Sequence, residues 1–152
     1  MCFKMASIRS IRSGIGESMN DRYLFKAKDC NSIWRAGLLI ALQEGRCAIE
    51  EKEGSKWACD SETLCQCTGL KDKNGKLIWE NDIVKRNFYL YSSEAKYEER
   101  ENCGIVKYDK EYARFGYQCS VFAMLSESKK HDTIEVIGNI FDNKELLESE
   151  EN

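Results

Sequence analysis

The sequence predicts a mainly β fold: an open small barrel of the SH3-like kind over residues 62–141, a smaller N-terminal β-sheet packed on it, and a short C-terminal helix. Three observations carry this. Turn signals recur at short intervals, at residues 29–32, 44–46, 74–75, 80–82 and 109–111, and leave little room for helices between them. The intervening runs are rich in β-branched and aromatic residues, which suit a pleated, half-buried surface. From Asp82 onward the order is strand, charged loop, a strand opening at Gly104, turn, strand. That is a small-barrel rhythm, in which a glycine admits a sharp bend.

Taken in order, residues 1–18 read as a mobile tail, because they are rich in Ser, Gly and Arg and lack periodicity. Met19 is an alternative natural start. Residues 19–61 form an N-terminal β subdomain, and residues 62–150 the barrel-like core with its helix. Tyr23-Leu24-Phe25 opens the first strand, and Asp29-Cys30-Asn31-Ser32 turns it. Residues 33–42 fit a strand bent at Gly37 or a helix; periodicity does not separate the two, and Trp34 and Gly37 favour the strand. Glu44-Gly45-Arg46 returns the chain to Cys47-Ala48-Ile49, and residues 50–55 are a charged loop. Residues 63–68 alternate as a half-buried strand. Asn74-Gly75 is the dipeptide of a two-residue type I′ hairpin, whose central positions both need positive φ. Leu77-Ile78-Trp79 is a short strand, and Glu80-Asn81-Asp82 a turn in which Asn81 tolerates the left-handed region. A long strand covers 83–91. Residues 92–102 are dense in charge and read as a solvated loop. Strands follow at 103–108, 115–125 and 133–137, and Asp142 or Asn143 caps a helix from Lys144 to about residue 150.

A chain of 152 residues suits one domain with a sizeable core. Its 42% hydrophobic and 32% charged content is that of a soluble globular protein. No apolar run approaches the ~18 residues of a membrane-spanning helix. The net charge is −3, and residues 1–18 hold three basic and one acidic side chain, which puts the remainder at −5. That balance argues against a protein that coats nucleic acid. The eight cysteines would suggest disulfides in an exported chain, but residues 1–18 contain no continuous apolar signal segment. The expectation is a cytoplasmic protein with free thiols.

Several stretches together carry a family resemblance. Thr68-Gly69-Leu70-Lys71-Asp72-Lys73-Asn74-Gly75-Lys76, continued by Ile78-Trp79-Glu80-Asn81-Asp82-Ile83-Val84, is similar to the signature of the YopX family, small proteins of bacteriophages and prophages. Cys67 stands where the family usually has an aromatic residue and Asn81 where it usually has Gly. Gly104-Ile105-Val106-Lys107-Tyr108 and the run from Ile134 through Gly138-Asn139 to Leu147 resemble further family motifs, with Lys144 in place of a Pro. Phe25-Lys26-Ala27-Lys28 and Trp34-Arg35-Ala36-Gly37-Leu38 resemble the family's front motifs. The resemblance implies a phage or prophage origin. It implies structural turn roles for Gly69, Asp72, Asn74, Gly75, Glu80, Asp82, Gly104, Gly138 and Asn139, and no molecular activity.

Chemistry-bearing groups are few. Cys59, Cys65 and Cys67, with His131 distant, lack the paired knuckles of a structural zinc site and read as core residues. His131 lies in a polar stretch with no orienting partner for a cysteine nucleophile. Glu62, Glu80 and Asp82 read as turn carboxylates accepting backbone N–H bonds. No phosphate-binding Gly-rich loop is present. The one basic-aromatic stretch is Lys85, Arg86, Phe88, Tyr89 and Tyr91, the candidate interaction surface. The expected function is that of a non-enzymatic accessory protein without cofactor or metal, acting through protein contacts. The alternatives are a nucleic-acid-binding barrel and an uncharacterised enzyme. Exposed aromatics and strand edges without proline predict a homo-oligomer, most simply a dimer.

Overall fold

The computed structural model describes residues 21–91, 97–118, 122–125 and 131–148. The stretch read as a tail, 1–18, lies outside the described residues. Those described form two antiparallel sheets and one short helix. The first sheet contains β1 (Leu24–Lys28), β2 (Trp34–Gln43), β3 (Arg46–Glu50), β4 (Lys56–Cys59), β5 (Cys65–Lys71) and β6 (Leu77–Trp79), in the spatial order β4-β3-β2-β1-β5-β6. The second contains β7 (Asp82–Tyr91), β8 (Tyr97–Asp109), β9 (Arg114–Gln118), β10 (Phe122–Met124) and β11 (Asp132–Asn139), in the order β10-β9-β8-β7-β11. Helix α1 is Glu145–Glu148.

The mainly β architecture with a terminal helix is the one the sequence predicts. The division of the strands is different. β5 and β6, read as the start of the barrel, belong to the first sheet: β5 pairs with β1 through Phe25↔Gln66 and Lys26↔Cys65, and β6 pairs with β5. The N-terminal sheet therefore has six strands against five and is not the smaller one. Among the described residues no ladder closes either sheet into a barrel.

The first sheet instead curls on itself. A single bridge between Asp29 and Cys59, with the Asp60 N–H donating to the Lys28 carbonyl at 2.8 Å, brings the end of β4 against the end of β1. Inside the curl lie Ala27, Cys47, Ile49 and Cys59, flanked by Phe25, Leu39, Trp57 and Leu64. The tight radius explains Gly37, where a Cβ would collide with the Glu50 carbonyl oxygen. Residues 33–42 are therefore the bent strand, not the helix.

A second core joins the two sheets through Ile78, Val84, Val106, Tyr117, Leu125 and Ile134. A third holds Cys65, Cys67 and Trp79 with Leu24, Trp34, Leu77 and Phe141. Ile78 and Trp79 are neighbours on β6 and enter different cores, as alternation along a strand requires. Each fully buried aliphatic side chain stabilises by about 1.5–3 kcal/mol before ordering entropy is subtracted.

Three local expectations are corrected, and one strand, β4, goes unread in the sequence. Gly75 has φ +80, but Asn74 is not in the left-handed region, so the turn is not type I′. Asp72 organises it instead: its Oδ1 accepts the N–H groups of Asn74 (2.8 Å) and Lys76 (2.9 Å), and the Asp72 carbonyl accepts the Gly75 N–H. The part of the charged stretch that is described, Tyr97 onward, is the outer half of β8, paired with β7 as far as Tyr91↔Tyr97. Both of its faces meet water, so no apolar alternation marks it. β4, with only Trp57 and Cys59 turned inward, carries no strand signal between its charged neighbours. Finally, neither the Asp142 nor the Asn143 side chain caps α1; the first accepts from Trp34 and the second from the Asn139 N–H, in the cleft between the sheets.

Candidate functional site

A polar hollow lies where β1, β2, the β6–β7 turn and the end of β11 converge. It encloses about 420 Å³ and is lined by Lys26, Trp34, Lys76, Asp82, Gly138, Asn139, Asp142 and Asn143, among others. Lys26 and Lys28 alternate with buried Ala27 on β1, which sends both amines to the cleft side. The Lys26 amine lies 2.9 Å from Asp82 Oδ1 and between two indoles, 4.9 Å from the Trp34 ring centre and 5.3 Å from that of Trp79. Lys28 pairs with Asp142 and lies 5.3 Å from the Trp34 ring centre. Asp142 Oδ2 accepts the Trp34 indole N–H at 2.8 Å and the Asn139 amide at 3.0 Å.

The two carboxylates of the cleft are pushed in opposite directions. Burial raises Asp82, against the opposing pull of Lys26 and of the Trp79 N–H that donates to its Oδ2 at 2.9 Å. Asp142 is held at about 2 by the Lys28 amine first, then by Trp34 and Asn139. Asn139 Oδ1 also accepts the N–H groups of Phe141 and Asp142, and Asn143 Oδ1 accepts the Asn139 N–H. Gly138 is required for this packing, since a Cβ would sit 2.6 Å from Asn143 Oδ1. What the arrangement does chemically is hold one sheet to the other: both carboxylates have a cation and an N–H partner from a different element.

A second junction lies nearby. Asp72 Oδ2 accepts the Val136 N–H at 3.1 Å and the Ile134 carbonyl accepts the Lys73 N–H at 2.8 Å, so the β5–β6 turn lies along the outer edge of β11. Asn81 adopts φ +66 as its sequence allowed, and its N–H donates to the Val106 carbonyl. A Cβ on Gly104 would collide with the Gln118 carbonyl oxygen, so that glycine permits the close approach of β9. Gly69 also has positive φ, and Glu80 donates its N–H to the Gln66 carbonyl.

The basic-aromatic stretch is dispersed. Lys85 and Arg86 are successive on β7 and point to opposite faces. Lys85 pairs with Glu101 at 2.7 Å, while Arg86 grips both oxygens of Asp132 at 2.6 and 2.5 Å and reaches the Tyr117 hydroxyl. Phe88 lies under the Arg86 guanidinium, and exposed Tyr89 meets His131 edge-on at 5.7 Å. Tyr91 closes the β7–β8 pairing opposite Tyr97. Of the three cysteines weighed as ligands, Cys65 and Cys67 share one core and Cys59 lies in another. Among the described residues no group of three or more His, Cys, Asp or Glu is placed to hold a metal ion. No helix of the described residues is long and apolar enough to cross a membrane.

Sequence reasoning missed Lys26, Lys28, Trp34, Asn139 and Asp142 as one cluster. The five side chains come from β1, β2, β11 and the turn after it, so no local spacing could show them together. The signal that did exist was that these stretches are the ones that carry the family resemblance.

No curated protein matches the chain. It is similar to a solved structure, protein EF1440 from Enterococcus faecalis, at 25% sequence identity, with 81% of this chain and 96% of that one covered and a TM-score of 0.45. The family model described as YopX protein matches residues 23–148, in agreement with the resemblance of the motifs. That match runs from the residue before β1 to the last residue of α1, and the chain belongs to the YopX family.

Proposed function

We propose that the chain is a non-enzymatic accessory protein of a phage or prophage that acts in the host cytoplasm through protein contacts, as a homo-oligomer with a dimer as its simplest form. The observation that carries this reading is the open edge of β2, which bears exposed apolar side chains on both sides of the bulge at Ile40. Leu38, Ile40 and Leu42 are 45%, 45% and 60% exposed. β1 pairs with β2 only as far as Leu24↔Leu38. Beyond it, among the described residues, no strand pairs with residues 39–43 on that side. An exposed apolar strand with an open edge is a surface that binds protein. Lys26, Lys28, Asp82 and Asp142 are engaged with one another in pairs, which suits a structural role. The nucleic-acid reading draws no support from Lys85 and Arg86, whose charges are matched by Glu101 and Asp132.

The test is affinity capture of the tagged chain from prophage-bearing cells with nuclease treatment, beside light scattering of the purified protein. A nuclease-resistant partner, or a dimer mass, that is lost in Leu42→Asp with the far-UV spectrum retained supports the reading. A monomer whose captured material disappears with nuclease overturns it in favour of nucleic acid.

A further inference from the structure

Two thiols that the proposed function does not use face each other across a strand pair. Cys47 on β3 is the direct partner of Cys59 on β4, and both are buried in the interior of the curled sheet. The register also fixes which kind of pair they are. The Glu51 N–H donates to the Ser55 carbonyl at 2.8 Å, just beyond Glu50↔Lys56. Hydrogen-bonded and non-hydrogen-bonded pairs alternate along an antiparallel ladder. Glu51 with Ser55 is hydrogen-bonded, so Ile49 with Trp57 is too, and so is Cys47 with Cys59. The Cα atoms of such a pair are about 5.5 Å apart, inside the range a disulfide spans. Their Cβ atoms must draw in by about 1 Å. β4 is a four-residue strand at the edge of its sheet, with one strand partner and one bridge, and it is the element able to make that adjustment.

We propose that Cys47 and Cys59 form a reversible cross-strand disulfide when the chain meets a small-molecule disulfide such as oxidised glutathione, which makes the pair an oxidant-responsive modification site. The balance is that of thiol–disulfide exchange. A thiolate of the pair attacks the S–S bond of oxidised glutathione, forming a mixed disulfide and expelling one glutathione thiolate. The second protein thiolate then attacks the protein sulfur of that mixed disulfide and expels the second glutathione. The two protein sulfurs are oxidised by two electrons together, the glutathione disulfide is reduced to two thiols, and the two protein protons pass to the departing thiolates.

The surroundings explain why the pair rests as thiols. Burial pushes both thiols up, Cys59 to about 11, so the attacking thiolate is scarce while β4 stays docked. Exchange therefore proceeds through fraying of the edge strand. A bond that draws its Cβ atoms together is strained and readily reduced, the property of labile rather than structural disulfides. Among the described cysteines no other two face each other in the strand register: Cys65 and Cys67 are two apart on one strand, Cys30 is exposed and Cys103 is half-buried on β8.

The experiment treats the folded, fully reduced chain with oxidised glutathione at mildly alkaline pH, blocks residual thiols with an alkylating reagent, and maps the peptides by mass spectrometry. The expected result is one linked peptide pair containing Cys47 and Cys59, absent after dithiothreitol. In the oxidised protein, amide exchange over residues 56–59 slows by about tenfold or more, because the closed loop suppresses fraying. Cys59→Ala should abolish both changes. Glutathione adducts on Cys30 or Cys103 with Cys47 and Cys59 still alkylated after unfolding would overturn the proposal. The mapping uses the unmodified sequence and so decides the matter even if the alanine variant fails to fold.

Discussion

Replacing Asp72 isolates the junction between the β5–β6 turn and β11. The Asp72 carboxylate accepts three backbone N–H groups, those of Asn74, Lys76 and Val136, and is itself 5% exposed. Asp72→Ala leaves all three donors without their acceptor. A buried donor left unpaired costs about 1–3 kcal/mol. The Asn74 and Lys76 groups belong to an exposed turn and can recruit water, so the expected loss is about 2–4 kcal/mol, not three full penalties. For a chain of this length about 2–4 °C of Tm is lost per kcal/mol, which puts the Tm fall at about 5–15 °C. Asp72→Asn keeps one oxygen for the turn but turns a donor toward the Val136 N–H, and should cost about 1–2 kcal/mol. Chemical denaturation with matched m-values is the assay. The pH dependence adds a second reading. Burial pushes this carboxyl up, but its backbone donors together outweigh that and hold it below the ordinary value. A depressed carboxyl contributes stability that is present above about pH 4 and lost as pH falls through its lowered value. The wild-type and Asp72→Asn curves should therefore converge in acid. Equal damage from the alanine and asparagine variants, or a loss from alanine under about 0.5 kcal/mol, would refute the reasoning, since the carboxylate would not be organising the turn.

Four further outcomes are expected. Lys26→Met leaves Asp82 buried without its cation and should cost about 3–5 kcal/mol, measured by urea denaturation, with Asp82→Asn in the same background restoring part of it. Because burial raises Asp82 in the fold, ionising it opposes folding as pH rises above about 4; Asp82→Asn should flatten that part of the stability profile. Asp142→Asn should cost about 1 kcal/mol after solvent screening, and its stability difference from wild type should fade as pH falls from about 4 toward 2, since Asp142 is held at about 2. Gly75→Val, at φ +80, should cost about 1–3 kcal/mol through backbone strain; an unchanged denaturation midpoint would show that the turn relaxes.

The legible parts of the fold were those written locally. Asn81 at positive φ, the Glu44-Gly45 turn and the β2–β3 hairpin followed from residue types within a few positions of each other. The illegible parts were decided by distant residues. Asn74-Gly75 has the composition of a type I′ turn, yet Asp72 captures the N–H groups of Asn74 and Lys76 and sets another geometry. β5 and β6 join the first sheet because Gln66 and Cys65 meet Phe25 and Lys26 on β1, far back along the chain. Nothing near Asp142 distinguishes a helix cap from a partner of Lys28 and Trp34, which lie more than a hundred residues earlier. The cleft was hidden for the same reason, although each stretch that builds it stood out by its resemblance.

The placement of β11 orders events during synthesis. This strand emerges from the ribosome after every other described strand, yet it pairs with β7 on one side and receives the β5–β6 turn on the other. Until Val136 has left the exit tunnel, Asp72 lacks one of its three donors and the core around Ile78 and Val84 lacks Ile134. The curled first sheet has its interior complete by Leu64 and can assemble while translation continues. Contacts that span such long stretches of chain form slowly. A nascent chain stalled before residue 132 would therefore present a finished curl beside an open apolar surface, the form most exposed to chaperones and proteases.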